Sequence, residues 1–141
     1  MNIAIICPVR GASKAFIKNV QSYVDELEAD GHDVHFPHRD TNQLVSGLEI
    51  CRHNALNINC ADEVHVFYTR ESLGVHFDLG VAFLSAVLEG KPKVVLVEND
   101  QYDDGRSFAR MLAEWLRYGD ISLDGCMFLD EGLLNTIKRE V

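Results

Sequence analysis

The sequence predicts a single α/β domain over residues 1–141, with three layers doubly wound around a mostly parallel five-stranded sheet. Three observations predict it. Short apolar runs rich in isoleucine and valine alternate with longer segments whose apolar residues recur at helical spacing. Proline, glycine or a polar cluster ends each run. With 141 residues, 47% of them hydrophobic and 25% charged, the chain has the size and composition to bury one substantial core.

The first strand is "NIAIIC" (2–7), an unbroken apolar run of the kind buried on both sides of a parallel sheet, ended by Pro8 and Gly11. Residues 13–30 bring Phe16, Ile17, Val20, Val24 and Leu27 onto one helical stripe, with Gly31 as the stop. "DVHFP" (33–37) reads as the second strand. Residues 43–60 carry Leu44, Leu48, Ala55 and Ile58 and read as a helix with a polar face. "EVHVFY" (63–68) is the third strand. A buried helix over 75–89 stops at Gly90 and Pro92, and "KVVLVE" (93–98) is the clearest strand. An amphipathic helix over 106–118 places Phe108, Met111, Leu112 and Trp115 on one side. "CMFL" (126–129) reads as an edge strand and 130–140 as a final helix. Strands separated by helices of this length imply parallel pairing and right-handed crossovers, a flavodoxin-like or Rossmann-like arrangement. No internal repeat or linker interrupts it.

The charge is −9. Polymeric nucleic acid and anionic membranes are bound through clustered Lys and Arg, so both are excluded as partners, whereas a small anion needs only a few local donors. No apolar run approaches the roughly 20 residues of a membrane span. Cys7, Cys51, Cys60 and Cys126 form no CxxC pair, and the apolar start lacks a basic leader. The expectation is a cytoplasmic protein with reduced thiols.

Ligands of such sheets bind beyond the carboxyl ends of the strands, which directs attention to "PVRGAS", "PHRDTNQ" and "TRESLG". The first offers Arg10, a flexible Gly11 and Ser13 at a helix start, where backbone N–H groups favour an anion or polar ligand. It contains neither GxxxxGK[ST] nor GxGxxG, nor the Ser/Thr-rich cradle of FMN carriers, so no cofactor is expected. In "TRESLGVHFDLG", Gly74 permits close backbone approach, Ser72 offers a hydroxyl, and Asp78 stands about one turn into an oily helix. A carboxylate among Phe77, Leu79, Val81, Ala82 and Phe83 must face a polar cavity or find a partner. The helix N-terminus is expected to favour its ionised form. His35 and His38, on a strand, would point to opposite faces, which gives no metal site. His53 and His76 are better placed to meet a ligand as hydrogen-bonding or acid–base groups.

Residues 50–97 resemble the core of the nucleoside 2-deoxyribosyltransferase family, which includes 2'-deoxynucleoside 5'-monophosphate N-hydrolases. The resemblance rests on Ala61-Asp62, the strand Glu63–Tyr68, Ser72-Leu73-Gly74, Asp78-Leu79-Gly80 and Gly90-Lys91-Pro92, with "PVRGAS" similar to the family's first-strand loop. It implies hydrolysis of the N-glycosidic bond of a nucleoside or deoxynucleoside 5'-monophosphate through a carboxylate nucleophile. The alternatives are deoxyribosyl transfer between bases and a non-catalytic nucleotide-binding or sensing domain. Asp78 occupies the slot of the family's catalytic glutamate, and Asn54 that of an aspartate that contacts the sugar and assists the nucleophile. Ser72 matches the serine that holds the 5'-phosphate, and Arg10, Gly11 and Ser13 would line the ligand loop. The family's assemblies imply a homodimer or larger homo-oligomer and a small-molecule nucleotide or nucleoside as partner. The chain departs from the pattern at two positions: aspartate for glutamate at 78, and asparagine for aspartate at 54.

Overall fold

The computed structural model describes residues 1–99 and 108–119. Among these residues nine elements follow in chain order: β1 (Asn2–Ile6), α1 (Lys14–Ala29), β2 (Asp33–His35), α2 (Pro37–Asp40), α3 (Gly47–Cys60), β3 (Glu63–Tyr68), α4 (Leu73–Glu89), β4 (Lys93–Asn99) and α5 (Phe108–Tyr118). Among the described residues the sheet has four strands in the order β2-β1-β3-β4, and every pairing is parallel. The expected fifth strand at 126–129 and the final helix at 130–140 lie outside the described residues.

Alternation along β1 and β3 divides the core in two. Ile3, Ile5 and Phe67 face Val20 and Val24 of α1, together with Val34 and Phe36. Ala4, Ile6, Val64, Val66 and Tyr68 face Ile58 of α3, the apolar stripe of α4, and Leu112 and Trp115 of α5. Helices thus cover both sheet faces. One polar residue, His65, points into the α1 layer. It is bonded there to the Tyr23 hydroxyl at 2.8 Å and to Glu63 at 3.0 Å, which satisfies both ring nitrogens.

Several boundaries differ from the sequence reading by a single residue, and three differ by more for a local reason. The second strand stops at His35 because Pro37 has no N–H for the ladder, and its fixed φ starts the short helix α2 instead; the Asp40 carboxylate accepts from the Phe36 N–H at 2.7 Å. His38 therefore sits on a helix, stacked on Phe36, rather than on a strand. The third helix begins at Gly47, not 43, because Ser46 and Glu49 form a reciprocal capping box that leaves Leu44 outside, almost wholly exposed. The fourth begins at Leu73, two residues earlier than expected, because the Ser72 hydroxyl accepts from the Val75 N–H and caps it. Gly90, at φ 72°, closes α4 in the left-handed conformation that glycine adopts without penalty.

Candidate active site

Strand order reverses between β1 and β3, and a cavity of about 430 Å3 opens at their carboxyl ends. Pro37 of α2 and three further segments wall it. The β1–α1 loop contributes Cys7, Val9 and Arg10. The start of α3 and the segment before it contribute Gln43, Ile50, Cys51 and Asn54. The β3–α4 turn and the first turns of α4 contribute Glu71, Ser72, Leu73, Gly74, Phe77 and Asp78. An adjoining hollow of about 250 Å3 shares Arg10, Glu71 and Ser72 with it and adds Gly11, Phe16 and Thr69. Together they fall in the size range of small-ligand sites.

Asp78 is the acid of this cavity's inner wall, only 7% exposed. Burial pushes its carboxyl up to about 6, and a hydrogen bond from the Asn54 amide pulls back against that rise. Asp78 lies past the first turn, beyond the strongest reach of the helix N-terminus that was expected to favour its ionised form, and desolvation sets the direction of the shift. The Asn54 amide nitrogen stands 3.3 Å from Asp78 Oδ2, and its oxygen accepts from the Thr41 hydroxyl at 2.9 Å. Asn54 and Asp78 meet because α3 and α4 pack side by side over one face of the sheet. The Cys7 thiol in the same wall is raised to about 12 by burial and by the nearby Asp78 charge. It stays protonated at neutral pH and offers no competing thiolate.

Toward the opening, the polar groups change. Arg10 is exposed on a wall common to both hollows. Ser72 Oγ uses a lone pair to cap α4, and that bond leaves its own hydrogen to donate. Gly11 takes φ 75°, which turns the loop sharply beside Arg10. Gly74 lines the larger cavity, with the Ser72 hydroxyl 3.8 Å from where a Cβ would stand, so backbone and hydroxyl face a ligand side by side there. Glu71 is a carboxylate on the same wall, held below its usual range by the Thr69 hydroxyl at 2.7 Å. A phosphate in the shared region would therefore be flanked by Arg10 and Ser72 and opposed by Glu71.

The remaining sequence-selected residues stand elsewhere. Ser13 caps α1 by accepting from the Phe16 N–H at 3.1 Å and does not line either hollow. The His76 ring is bonded at 2.9 Å to the Ser72 carbonyl and at 3.2 Å to the Tyr68 hydroxyl, which braces the turn from behind. His53 is exposed and lies against the His35 ring, with centroids 5.3 Å apart. Sequence reading missed Cys7, Cys51, Phe77 and Glu71 in the wall, and Thr41 behind it. Cys7 follows β1 and Glu71 and Thr41 lie in the connections after β3 and β2, so position was their signal; Cys51 and Phe77 lie inside α3 and α4 and carried none.

A separate hollow of about 330 Å3, lined by Asn2, Asp33, Val34, Arg39, Asp40 and Asn57 among others, lies along the β2 edge. Its one arginine is committed to Glu28 and Asp40 at 2.9 and 2.7 Å. No group of three or more metal-ligating side chains gathers among the described residues. No described helix is long and apolar enough to cross a membrane.

The chain is similar to the solved structure of Clostridium botulinum CMP N-glycosidase, BcmB, with a TM-score of 0.57 at 15% identity over 99% of this chain and 98% of that one. At that identity the likeness establishes a shared fold. No family model matches the sequence, and no curated protein matches it significantly.

Proposed function

We propose that this protein hydrolyses the N-glycosidic bond of a nucleoside or deoxynucleoside 5'-monophosphate, with Asp78 as the nucleophile. The observation that carries the reading is a buried carboxylate, bonded to an amide, on the wall of a cavity whose opening offers Arg10 and Ser72 to an anion. The shared fold with a CMP N-glycosidase supports it and makes CMP the first substrate to try. In the proposed reaction Asp78 Oδ bonds to C1' as the C1'–N bond breaks. The electron pair leaves with the base, which takes a proton from solvent. Water then attacks C1', freeing the carboxylate and releasing its proton to solvent. Asn54 orients Asp78 and favours its ionised form, while Arg10 and Ser72 hold the phosphate.

The test is a panel of ribo- and deoxyribonucleoside monophosphates and the matching nucleosides, assayed for free base by chromatography, with Asp78→Ala in parallel. Base release from a monophosphate, faster than from its nucleoside and lost in Asp78→Ala, is the expected result. Release that survives Asp78→Ala overturns the nucleophile. Saturable nucleotide binding without release instead assigns the protein a sensing role, to which the shorter acid at 78 and the amide at 54 would suit it. Product carrying a second base marks transfer.

A homodimer belongs to the same proposal. Leu73, Phe77, Leu84 and Leu88 are exposed at spacings of 4, 7 and 4 on one side of α4, with Leu73 85% and Leu84 57% exposed. Leu73 and Phe77 also line the cavity, so a second copy seated on this stripe would narrow its opening. Light scattering is expected to give twice the chain mass for the wild type and the monomer mass for Leu84→Glu.

A further inference from the structure

Behind the candidate nucleophile runs a line of four side chains from four parts of the fold. Asp78 on α4 meets Asn54 on α3 at 3.3 Å. Asn54 meets Thr41, the residue that ends α2, at 2.9 Å, and Thr41 meets His35 Nε2 at the end of β2 at 3.3 Å. Thr41 is only 4% exposed, so its hydroxyl depends on these partners rather than on water.

Chemistry permits the line only one polarity when Asp78 is ionised. A carboxylate only accepts, so the Asn54 –NH2 must face it. That turns the Asn54 oxygen toward Thr41, where it takes the single hydroxyl hydrogen. The Thr41 oxygen is then left to accept, and the donor within reach is His35 with its proton on Nε2. Turned the other way, Asn54 would set a carbonyl oxygen against a carboxylate, two acceptors with no proton between them. An amide has two ends of nearly equal shape; the Asp78 charge selects the –NH2 end, and the Thr41 hydroxyl hydrogen holds the oxygen end in place. The β-branched threonine holds one χ1 well and keeps the hydroxyl aimed. The surroundings of His35 suit a neutral donor: burial disfavours its charged form, and the nearby His53 and Arg39 add to that, while Asp40 and the Asn54 side chain act in the opposite sense.

We propose that Thr41 and His35 are positioning residues, which act through Asn54 to hold a donor on Asp78 and so keep that carboxylate ionised and aimed at the cavity. The inference rests on the proposed nucleophile role of Asp78 for its effect on rate, but its effect on the carboxylate can be read without any reaction.

The experiment compares Thr41→Val, which keeps the shape and removes the hydroxyl, with Thr41→Ser, which keeps the hydroxyl. His35→Phe is the second route to the same link should the valine variant fail to fold. Two readouts are taken: the Asp78 carboxyl titration in ligand-free protein by carbon-detected NMR, and kcat and KM of base release across pH. Thr41→Val is expected to move the Asp78 titration upward by about half a unit to one unit, because the donor that lowers it is no longer held. It should also lower kcat at neutral pH roughly tenfold with KM little changed, and carry the acid limb of the rate profile upward by the same amount. Thr41→Ser should restore both, and His35→Phe should shift both in the valine direction by less. An unchanged titration and an unchanged kcat in Thr41→Val and His35→Phe overturn the positioning role even where the wild type releases base. A shifted titration in a protein that releases no base upholds the positioning and counts only against the cleavage reading.

Discussion

Asp78→Asn is expected to abolish base release and, above pH 6, to make the protein more stable. If Asp78 bonds to the anomeric carbon as proposed, its removal takes away the covalent step, and losses of a thousandfold or more in kcat are the usual scale for such a nucleophile. The gain in stability follows from burial. The Asp78 carboxyl is raised from 3.8 to about 6 in the folded chain. Between those two values folding takes up a proton, so stability falls as pH rises through that window, and above about 6 the whole penalty is present. Two units correspond to a ceiling of about 3 kcal/mol, at roughly 1.4 kcal/mol per unit. Asparagine never ionises and still accepts from Asn54 through its own oxygen, so it escapes the penalty. Calorimetry should show Asp78→Asn melting several degrees above wild type at pH 8, with the difference gone at pH 4. The wild type should show base release that climbs to a plateau as pH passes about 6, because only the ionised acid attacks. Equal stability of the two proteins at pH 8 would mean that the carboxylate is not paying for its burial, and the assignment of a poised acid would fail.

How far this site could be read in advance depends on which physics governed each residue. Periodicity found every described strand and the four longer helices, because β1, β3 and β4 bury apolar side chains and α1, α3, α4 and α5 each turn an apolar stripe to the sheet. Element ends were harder. Ser46 and Ser72 both cap helices, but a serine before a helix reads equally as a turn until its hydroxyl is seen to accept. Asp78 was legible because an acid inside an apolar segment is costly and needs a reason. Its partner Asn54 came from resemblance alone. Nothing in an isolated asparagine 24 residues away announces a bond to Asp78, and α3 must first pack on α4. Thr41 and His35 were invisible as a pair for the same reason: their link exists only because Pro37 turns the chain back beside α3. The histidines went the other way. Their chemistry drew attention to His53 and His76, and the structure places one against His35 and the other behind the Ser72 turn.

The second large effect lies one residue from Asp78. Leu79→Ala is expected to cost about 3–4 kcal/mol, within the range of about 2–5 kcal/mol for emptying a filled leucine site. Consecutive helical residues point about 100° apart, so the backbone that turns Asp78 to the cavity turns Leu79 to the sheet. Leu79 is fully buried, in a cluster with Val64 and Val66 of β3, Val75 and Ala82 of its own helix, and Leu112 and Trp115 of α5. Close-packed neighbours drawn from three elements cannot collapse onto a vacated side chain without moving a helix against a sheet, so the cavity persists and its cost is felt. A domain of this kind is stabilised by about 5–15 kcal/mol in all, so the loss would consume a large part of the margin. Urea denaturation should show a lower midpoint with little change in slope. Leu84→Ala, on the exposed side of the same helix, should cost under about 0.5 kcal/mol in a monomer. A small loss at Leu79 would contradict the seating of α4 on β3. The contrast carries a functional consequence as well. Asp78 has no covalent tie to the sheet except through its helix, and Leu79 is the adjacent contact that presses that helix down. Loosening it should reduce kcat in the molecules that remain folded, since a displacement of about 1 Å at the reacting atom can cost roughly a hundredfold in rate. Base release per folded molecule, measured well below the melting transition, is therefore expected to fall in Leu79→Ala and to stay near wild type in Leu84→Ala once the assembly state is matched.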